Sequence, residues 1–287
     1  MPVVSLLRRG PSIGSVADRQ SLGTMDALVE AARLLAGRQR LLVLTGAGAS
    51  ADAGVPTFRD GEGGCGLWQQ HRCEDLASPE AFARDPELVW DWYRERRLHV
   101  AGCEPHEGQR TLALLQRHWP RFGRVLIATT NEDDLLERAG VQPVLHLHGS
   151  LFETRCAGHA TGEPGCGWRG RDTVDNSLSF FDCPRCGGRV RPGSVWFNEP
   201  LPAGVMDALH AFDAEACLVV GSSSLVQPAA AIPPELALAG RPVVELNAVA
   251  TPLSGVATLS LRGTAKDLLP RLVDLLTSPL LRAKAGV

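Results

Sequence analysis

An apolar segment that runs directly into a glycine-rich turn constrains this chain most. Leu41–Leu44 is short and wholly apolar, and after Thr45 the chain continues as Gly46-Ala47-Gly48-Ala49-Ser50-Ala51. A strand that ends in Gly-x-Gly-x-x-Ala lets backbone N–H groups approach the pyrophosphate of a dinucleotide. The segment therefore predicts a parallel α/β fold with a dinucleotide site, although this fingerprint alone is a weak signal.

The residues that follow are unusual for a plain dehydrogenase. Gly54 opens a long glycine-rich loop that carries Pro56, Phe58 and Arg59, where a regular helix would normally continue. The loop also leaves no second βα unit with an acidic residue about 20 positions on, which a dehydrogenase uses to bind ribose. An aromatic and an arginine on such a loop could close over a bound cofactor, so hydride transfer is the least expected chemistry.

Further apolar runs alternate with helical patterns along the chain. Strands buried on both faces and separated by helices predict a Rossmann-like, doubly wound parallel sheet. A helix is also predicted over Met25–Leu35, with Thr24 as its N-cap. The predicted strands are Leu41–Leu44, Val125–Ala128, Val144–Leu147, Leu218–Val220, Val243–Leu246 and Leu259–Leu261; the predicted helices between them are Glu107–Arg117, Asp133–Ala139, Pro202–Phe212 and Pro233–Ala239.

Length and composition limit the possible domain organisation and exclude some classes of function. The 287 residues fit a disordered leader over 1–23 and one α/β domain over 24–287, with a small zinc-binding insert (152–195) and a helical and loop insert (54–105). A net charge of −3 argues against nucleic acid, and no apolar stretch suits a membrane span. Eight dispersed cysteines favour a reduced, cytoplasmic compartment, with organelle targeting by the leader left open. The oligomeric state is not indicated, and a monomer is compatible with the sequence.

Clustered cysteines in the second insert predict a metal site. Cys183-Pro-Arg-Cys186 is a Cys-x-x-Cys knuckle, and Cys156 lies upstream of it. Either His159 or Cys166 could complete a tetrahedral set, and we favour Cys166 because a glycine follows it as in the knuckle. Four protein ligands leave no open position, so the zinc would be structural.

Polar residues close two of the predicted strands. His148 ends one strand beside Gly149, where a neutral imidazole could act as a general base; the alternative is a core histidine with its hydrogen bonds satisfied. Asn131 and Asp133 end another and could bind an amide or a ribose hydroxyl. From these residues alone, an N-cap for the next helix is the stronger interpretation.

One predicted helix carries a phenol and a guanidinium three residues apart. Tyr93 and Arg96 share a helix face, and together they make a good carboxylate receptor. The commoner alternative for such a helix is a solvated basic face.

These motifs, taken together and in order, resemble the sirtuin family of NAD+-dependent protein deacylases over about Leu28 to Leu269. The glycine turn with Gly54-Val55-Pro56-x-Phe58-Arg59 matches the family signature, and Tyr93, Arg96 and the small Ala77 resemble the acyl pocket of the class III, sirtuin-5-like and CobB-like branch. The resemblance implies removal of succinyl or malonyl groups, and more weakly acetyl groups, from lysine in protein or peptide substrates. NAD+ would be the cosubstrate, one zinc ion structural, and nicotinamide and O-acyl-ADP-ribose the products.

The resemblance also implies roles for individual residues. His148 would be the catalytic base, and Val195 with Phe197 would pair with the substrate backbone. The residues that would line the cofactor site are Gly46, Ala47, Gly48, Ser50, Ala51, Gly54, Thr57, Phe58, Arg59, Thr130, Asn131, Glu132, Asp133, Gly221, Ser222, Ser223, Asn247 and Ala265.

Several departures from the family pattern bear on function, among them the following three. The family has Gln, Ile and Gly where this chain has Thr130, Glu132 and Asn198. Thr130 shortens a ribose contact, and Glu132 adds a charge near the nicotinamide pocket. These two keep open an NAD+ hydrolase or ADP-ribosyltransferase on the same fold. A non-catalytic NAD+-sensing module is a separate alternative.

Overall fold

The computed structural model describes residues 23–57, 76–119, 123–159, 162–171 and 180–277. A six-stranded sheet with the order β3-β2-β1-β7-β8-β9 forms the centre of the main domain, and all of its pairings are parallel. A second sheet, β5-β4-β6, is antiparallel and belongs to the cysteine-rich insert. The strands are β1 Arg40–Thr45, β2 Arg124–Thr129, β3 Val144–His146, β4 Glu153–Gly158, β5 Arg169–Arg171, β6 Arg189–Pro192, β7 Ala216–Val220, β8 Val243–Asn247 and β9 Leu259–Arg262.

Helices cover both faces of the parallel sheet. Side chains alternate across a strand, so Leu41 and Val43 enter one core while Leu42 and Leu44 enter the other. The α-helices are α1 Thr24–Leu35, α2 Gly48–Ala51, α3 Pro79–Arg84, α4 Pro86–Gly102, α5 Glu107–His118, α6 Leu135–Arg138, α7 Val205–Phe212, α8 Ile232–Leu238 and α9 Ala265–Thr277. Helices α1, α5 and α9 pack on the first face, and α7 and α8 on the second.

The predicted doubly wound sheet is confirmed, with some corrections at element ends. Gly23 rather than Thr24 is the N-cap of α1, and Thr24 is its first helical residue. The helix predicted over Asp133–Ala139 is only the single turn α6. The helix predicted from Pro202 begins at Val205, because Gly204 caps it with a φ of +79°. Helix α9 was not predicted, since Pro270 lies inside it and interrupts the helical pattern.

The two inserts form different secondary structure: the described part of the first contains helices, and that of the second contains short strands. Helices α3 and α4 each begin with a side-chain cap followed by proline: Ser78 Oγ accepts from Ala81 N and Asp85 Oδ1 from Leu88 N. The described part of 152–195 holds the three short antiparallel strands β4, β5 and β6 and no helix.

The leader predicted over 1–23 lies almost wholly outside the described residues. Within the described ranges, no helix combines the length and apolar character needed to cross a membrane.

Candidate active site

The glycine turn lies at the carboxyl end of β1 and packs directly on the loop after β7. Gly48 N donates to Gly221 O at 2.8 Å. A Cβ atom on Gly46 would lie 2.6 Å from the Cα of Ser222, and one on Gly48 would lie 2.9 Å from the Cα of Gly221. Because side chains at these positions would collide with backbone, the turn must be built from glycine. The resulting close approach of two loops forms a backbone cradle that fits a dinucleotide pyrophosphate.

The loop after β2 bonds to the same turn. The side-chain amide of Asn131 donates to Gly46 O at 3.1 Å and to Ser50 Oγ at 3.0 Å. Asp133 is 5% exposed, and its Oδ1 accepts from the N–H of Leu135, the first residue of α6, at 3.2 Å. Burial raises the pKa of the Asp133 carboxyl above its usual value. Neither residue is the N-cap of α6, which is Asp134: Asp133 bonds to the first residue of the helix, and Asn131 bonds to the glycine turn.

Thr130 and Glu132, the two departures in this loop, point in different directions. The hydroxyl of Thr130 donates to Thr45 O at 3.3 Å, and its backbone N donates to the same carbonyl at 3.0 Å. The carboxylate of Glu132 is 2.8 Å from the guanidinium of Arg96, and both side chains are about one-tenth exposed (9% and 10%).

His148 has one ring nitrogen committed to a backbone carbonyl. Nδ1 lies 3.1 Å from Thr130 O, and since a carbonyl can only accept, Nδ1 carries the proton. In the neutral ring Nε2 is then a bare acceptor, which is the tautomer a general base needs. Burial lowers the pKa of His148 below its usual value, and the charge of Glu132 partly opposes that shift.

His146, two positions earlier, is in a different state. Its Nδ1 bonds to Asn131 O at 3.0 Å and its Nε2 to Glu137 Oε1 at 2.6 Å, so both nitrogens face acceptors. Burial lowers its pKa, but the hydrogen bond and charge of Glu137 outweigh that effect and raise the pKa overall. His146 therefore serves to hold the Asn131 backbone in place.

The far end of the sheet edge carries five of the residues predicted to line the cofactor site. Asn247 ends β8, and its side-chain amide donates to Ser222 O at 2.7 Å. Gly221 has a φ of +61°, and Ala265 begins α9 with 3% exposure. The structure thus places Gly221, Ser222 and Asn247 together on one side of the cradle; Ser223 is next in the chain, and Ala265 lies after β9 at the start of α9. Ala47, Ala51, Gly54 and Thr57 lie on the described part of the loop after β1, but Phe58 and Arg59 lie outside the described residues.

The Tyr93–Arg96 face of α4 is buried, so the alternative of a solvated basic face is wrong. Tyr93 is 1% exposed, and its hydroxyl accepts a hydrogen bond from Trp196 Nε1 at 3.0 Å. The guanidinium of Arg96 lies over the rings of Trp92 (4.7 Å) and Tyr93 (5.4 Å). Ala77 is 8% exposed and belongs to the same apolar cluster as Tyr93.

The segment that carries Val195 and Phe197 is tied to the site by its backbone. Val195 N donates to His148 O at 2.8 Å, and Phe197 N donates to Ala77 O at 2.9 Å. Asn198 has a φ of +67°, a conformation that asparagine tolerates better than other residues with a Cβ atom. Phe197 itself is 41% exposed, so its ring faces outward.

Four cysteines of the small sheet come together as a metal-binding group. The sulfurs of Cys156, Cys166, Cys183 and Cys186 all lie within 4.8 Å of one another, and two of the pairs are 3.6 Å apart. A tetrahedral site with Zn–S bonds of about 2.3 Å requires S–S edges of about 3.8 Å, so the donor set fits zinc. Cys166 and not His159 completes this group.

Comparison with known proteins decides the family. A model described as "Sir2 family" matches residues 46–228. The chain belongs to the Sir2 family. It is 43% identical over 259 residues to "NAD-dependent protein deacylase 1" of Pseudomonas aeruginosa, which covers 87% of this chain and 98% of that protein. It is also 43% identical over 256 residues to "NAD-dependent protein deacylase Sir2" of Mycolicibacterium smegmatis, with coverage of 85% and 99%.

Solved structures agree with this assignment. A Sir2 homolog–NAD complex superposes with a TM-score of 0.76 at 39% identity and covers 86% of this chain and 93% of its own. Sir2Tm bound to a propionylated peptide superposes with a TM-score of 0.71 at 26% identity, with coverage of 85% and 96%. The cradle of this Sir2-family protein therefore fits NAD+ by fold as well as by its glycines.

Some residues that hold the site were not predicted from the sequence. Gln109, at the start of α5, donates from Nε2 to Ser50 Oγ at 3.2 Å. His106 caps the same helix and bonds through Nε2 to Ala49 O at 2.9 Å. The sequence does contain a signal for these two residues: His106 and Gln109 lie three positions apart at the start of a helix, which is the spacing of a capping box.

Proposed function

We propose that this Sir2-family protein is an NAD+-dependent protein-lysine deacylase. The observation that carries the proposal is His148, whose Nδ1 is committed to Thr130 O and whose Nε2 is left as the accepting nitrogen. It follows β3 at the carboxyl edge of the sheet, and the loop that accepts its hydrogen bond also binds the glycine turn through Asn131. Its relatives carry the deacylase name, and the matched regions cover almost the whole of those proteins.

Different residues of this chain have different roles in the proposed reaction. Bound NAD+ supplies the ribose to which the acyl group is transferred, with release of nicotinamide and free lysine. Gly46 and Gly48 admit the pyrophosphate, and Asn131 and Asp133 hold the nicotinamide end. His148 accepts a proton at Nε2 from a ribose hydroxyl, since burial keeps the imidazole neutral near pH 7.

The peptide lies along the segment that contains Val195 and Phe197. The N–H groups of Val195, Trp196 and Phe197 donate to His148 O, Glu199 Oε2 and Ala77 O respectively. A substrate strand therefore pairs with the carbonyl groups of Val195 and Phe197, since the Trp196 carbonyl already accepts from Glu199 N at 3.1 Å. That arrangement places the acyl-lysine near both His148 and the Tyr93–Arg96 face.

We further propose that succinyl- and malonyl-lysine are substrates in addition to acetyl-lysine. Arg96 brings a buried cation to the acyl pocket, Tyr93 brings a phenol that burial keeps protonated, and Ala77 leaves room beside them. A guanidinium and a hydroxyl form a receptor for the terminal carboxylate of such acyl groups.

The experiment measures NAD+-dependent deacylation of one peptide carrying acetyl, succinyl or malonyl lysine, with nicotinamide and O-acyl-ADP-ribose detected by mass spectrometry. We expect product from the wild type and a loss of about 10²- to 10⁴-fold for His148→Ala. His118→Ala, on the exposed end of α5, is the matched control. Full activity of His148→Ala, or NAD+ consumption that needs no acyl-peptide, would contradict the proposal. Equal loss of all three activities in Arg96→Met would contradict the carboxylate-receptor role.

A further inference from the structure

The acyl pocket already contains a carboxylate that belongs to the protein. Glu132 Oε2 lies 2.8 Å from Arg96 Nη1, and neither side chain is more than 10% exposed. Trp92 and Tyr93 hold the guanidinium by their ring faces. The cation at the end of the pocket is therefore charge-compensated before any substrate enters.

Glu132 is also electrostatically close to the reacting groups. Its negative charge acts to raise the pKa of both the Tyr93 phenol and the His148 imidazole, although burial is the larger influence on each. Asn131 and Asp133, its two neighbours in sequence, lie at the base of the cofactor cradle. The carboxylate thus lies between the acyl pocket and the catalytic edge and not on a remote surface.

We propose that Glu132 occupies the carboxylate receptor formed by Arg96 and thereby determines how strongly the enzyme discriminates between acidic and neutral acyl groups. The inference rests on the proposed deacylase function. An acetyl group enters the pocket and leaves the Arg96–Glu132 pair intact. A succinyl group adds a second carboxylate beside one guanidinium, and one of the two negative charges is left without a partner in a buried site.

The size of this effect follows from Coulomb's law. Two carboxylates about 5 Å apart, at an effective dielectric constant of about 20, disfavour one another by a factor on the order of a hundred. This repulsion offsets much of the attraction that Arg96 offers to a dicarboxylic acyl chain. The wild type is therefore expected to turn over acidic and neutral acyl-lysines with similar efficiency, and Glu132 is the residue that limits its preference.

The test compares succinyl-lysine with succinamoyl-lysine, which has the same shape but an uncharged terminal amide. The kcat/KM ratio of the two substrates is measured for the wild type, Glu132→Gln, Arg96→Met and the double variant. Effects of Glu132 on NAD+ binding cancel in this ratio, because both substrates use the same cofactor site. We expect the ratio to rise about 10- to 100-fold in Glu132→Gln, chiefly through KM, and to return to the wild-type value or below in the double variant.

Two controls separate this role from a purely structural one. Glu95→Gln removes an exposed carboxylate from the same helix as Arg96 and should leave the ratio unchanged. Glu132→Ile removes the charge with a different side chain and should raise the ratio as Glu132→Gln does. A ratio that stays within twofold of wild type in both Glu132 variants, or one that rises equally in the double variant, would overturn the inference.

Failure of the proposed function gives a different result. In that case the wild type releases no lysine from any acyl-peptide. Fluorescence anisotropy with labelled succinyl and succinamoyl peptides then decides the inference without turnover. Tighter binding of the succinyl peptide alone to Glu132→Gln supports the inference, and unchanged relative binding refutes it.

Discussion

Replacing Glu199 by glutamine should destabilise the junction between the small sheet and the substrate segment. Arg191 reaches Glu199 with two nitrogens, one of them 3.0 Å from Oε2, and Arg155 adds a contact of 2.9 Å. The same carboxylate accepts from Trp196 N at 2.9 Å, while the guanidinium of Arg191 lies 3.2 Å from the centre of the Trp196 ring. One acidic side chain thus connects β4, β6 and the segment proposed to bind the peptide.

The magnitude follows from burial. The side chains of Arg191 and Glu199 are 8% and 18% exposed, so the amide would leave two arginines close together and largely out of water. Breaking such a pair costs about 3 kcal/mol. In a domain of this size that corresponds to a fall in Tm of roughly 6–12 °C. Glu153→Gln is the matched control: its partner Arg169 is 52% exposed, so the expected cost is about 0.5 kcal/mol or less.

The pH dependence provides a second check on the same variant. Burial acts to raise the pKa of Glu199, but the hydrogen bond and charge of Arg191 outweigh it, so the pKa lies below its usual value of 4.5. A carboxyl with a depressed pKa contributes stability above the unfolded-state value and loses it as pH falls through the folded-state value. The gap in Tm between wild type and Glu199→Gln should therefore close below pH 4.5. Equal Tm values for Glu199→Gln and Glu153→Gln at pH 7, measured by circular dichroism, would refute this reasoning.

Three further predictions concern the metal, the base and the cradle. Elemental analysis should find one zinc per chain in the wild type and in His159→Ala but much less in Cys166→Ser; zinc loss in His159→Ala instead would contradict the four-cysteine set. The acidic limb of the kcat/KM profile should have its midpoint below pH 6.5, since burial lowers the pKa of His148 and protonation removes the base; a midpoint at pH 7 or above would argue against His148. Gly48→Ala should weaken NAD+ binding about tenfold or more by calorimetry, because its Cβ would meet Gly221 at 2.9 Å, and unaltered affinity would mean that the two loops separate easily.

The strands of the main sheet could be predicted from sequence because each is buried on both faces. Such strands appear as short, continuous apolar runs, and the six predicted runs correspond to the six strands within one or two residues. The small antiparallel sheet gave no such signal. Its strand β5 is Arg169-Gly170-Arg171, with both arginines exposed, so its stability comes from pairing with β4 and from the nearby cysteine group rather than from apolar content.

The site was predictable where chemistry follows a motif and unpredictable where it depends on tertiary contact. The glycine turn and the cysteine group are local patterns whose geometry follows from residue type and spacing. The burial of Arg96 could not be read from α4, because the helix carries Arg94, Arg96 and Arg97 in one polar stretch. Only the fold shows that Arg96 faces Glu132, a residue from the loop after β2.

The departures at Thr130, Glu132 and Asn198 are accommodated by different physical means, and this difference supports the proposal that Glu132 is the one that alters function. Asn198 takes a left-handed conformation that asparagine tolerates, and Thr130 donates its hydroxyl to a carbonyl of β1, so neither change adds a charge to the site. Glu132 brings a charge into a buried site, and such a charge requires a partner. The partner is Arg96, the cation that we propose recognises an acidic acyl group. On the proposed function, Glu132 is therefore the departure we expect to change what the pocket binds, because the interaction that stabilises its carboxylate is the one a substrate carboxylate would use.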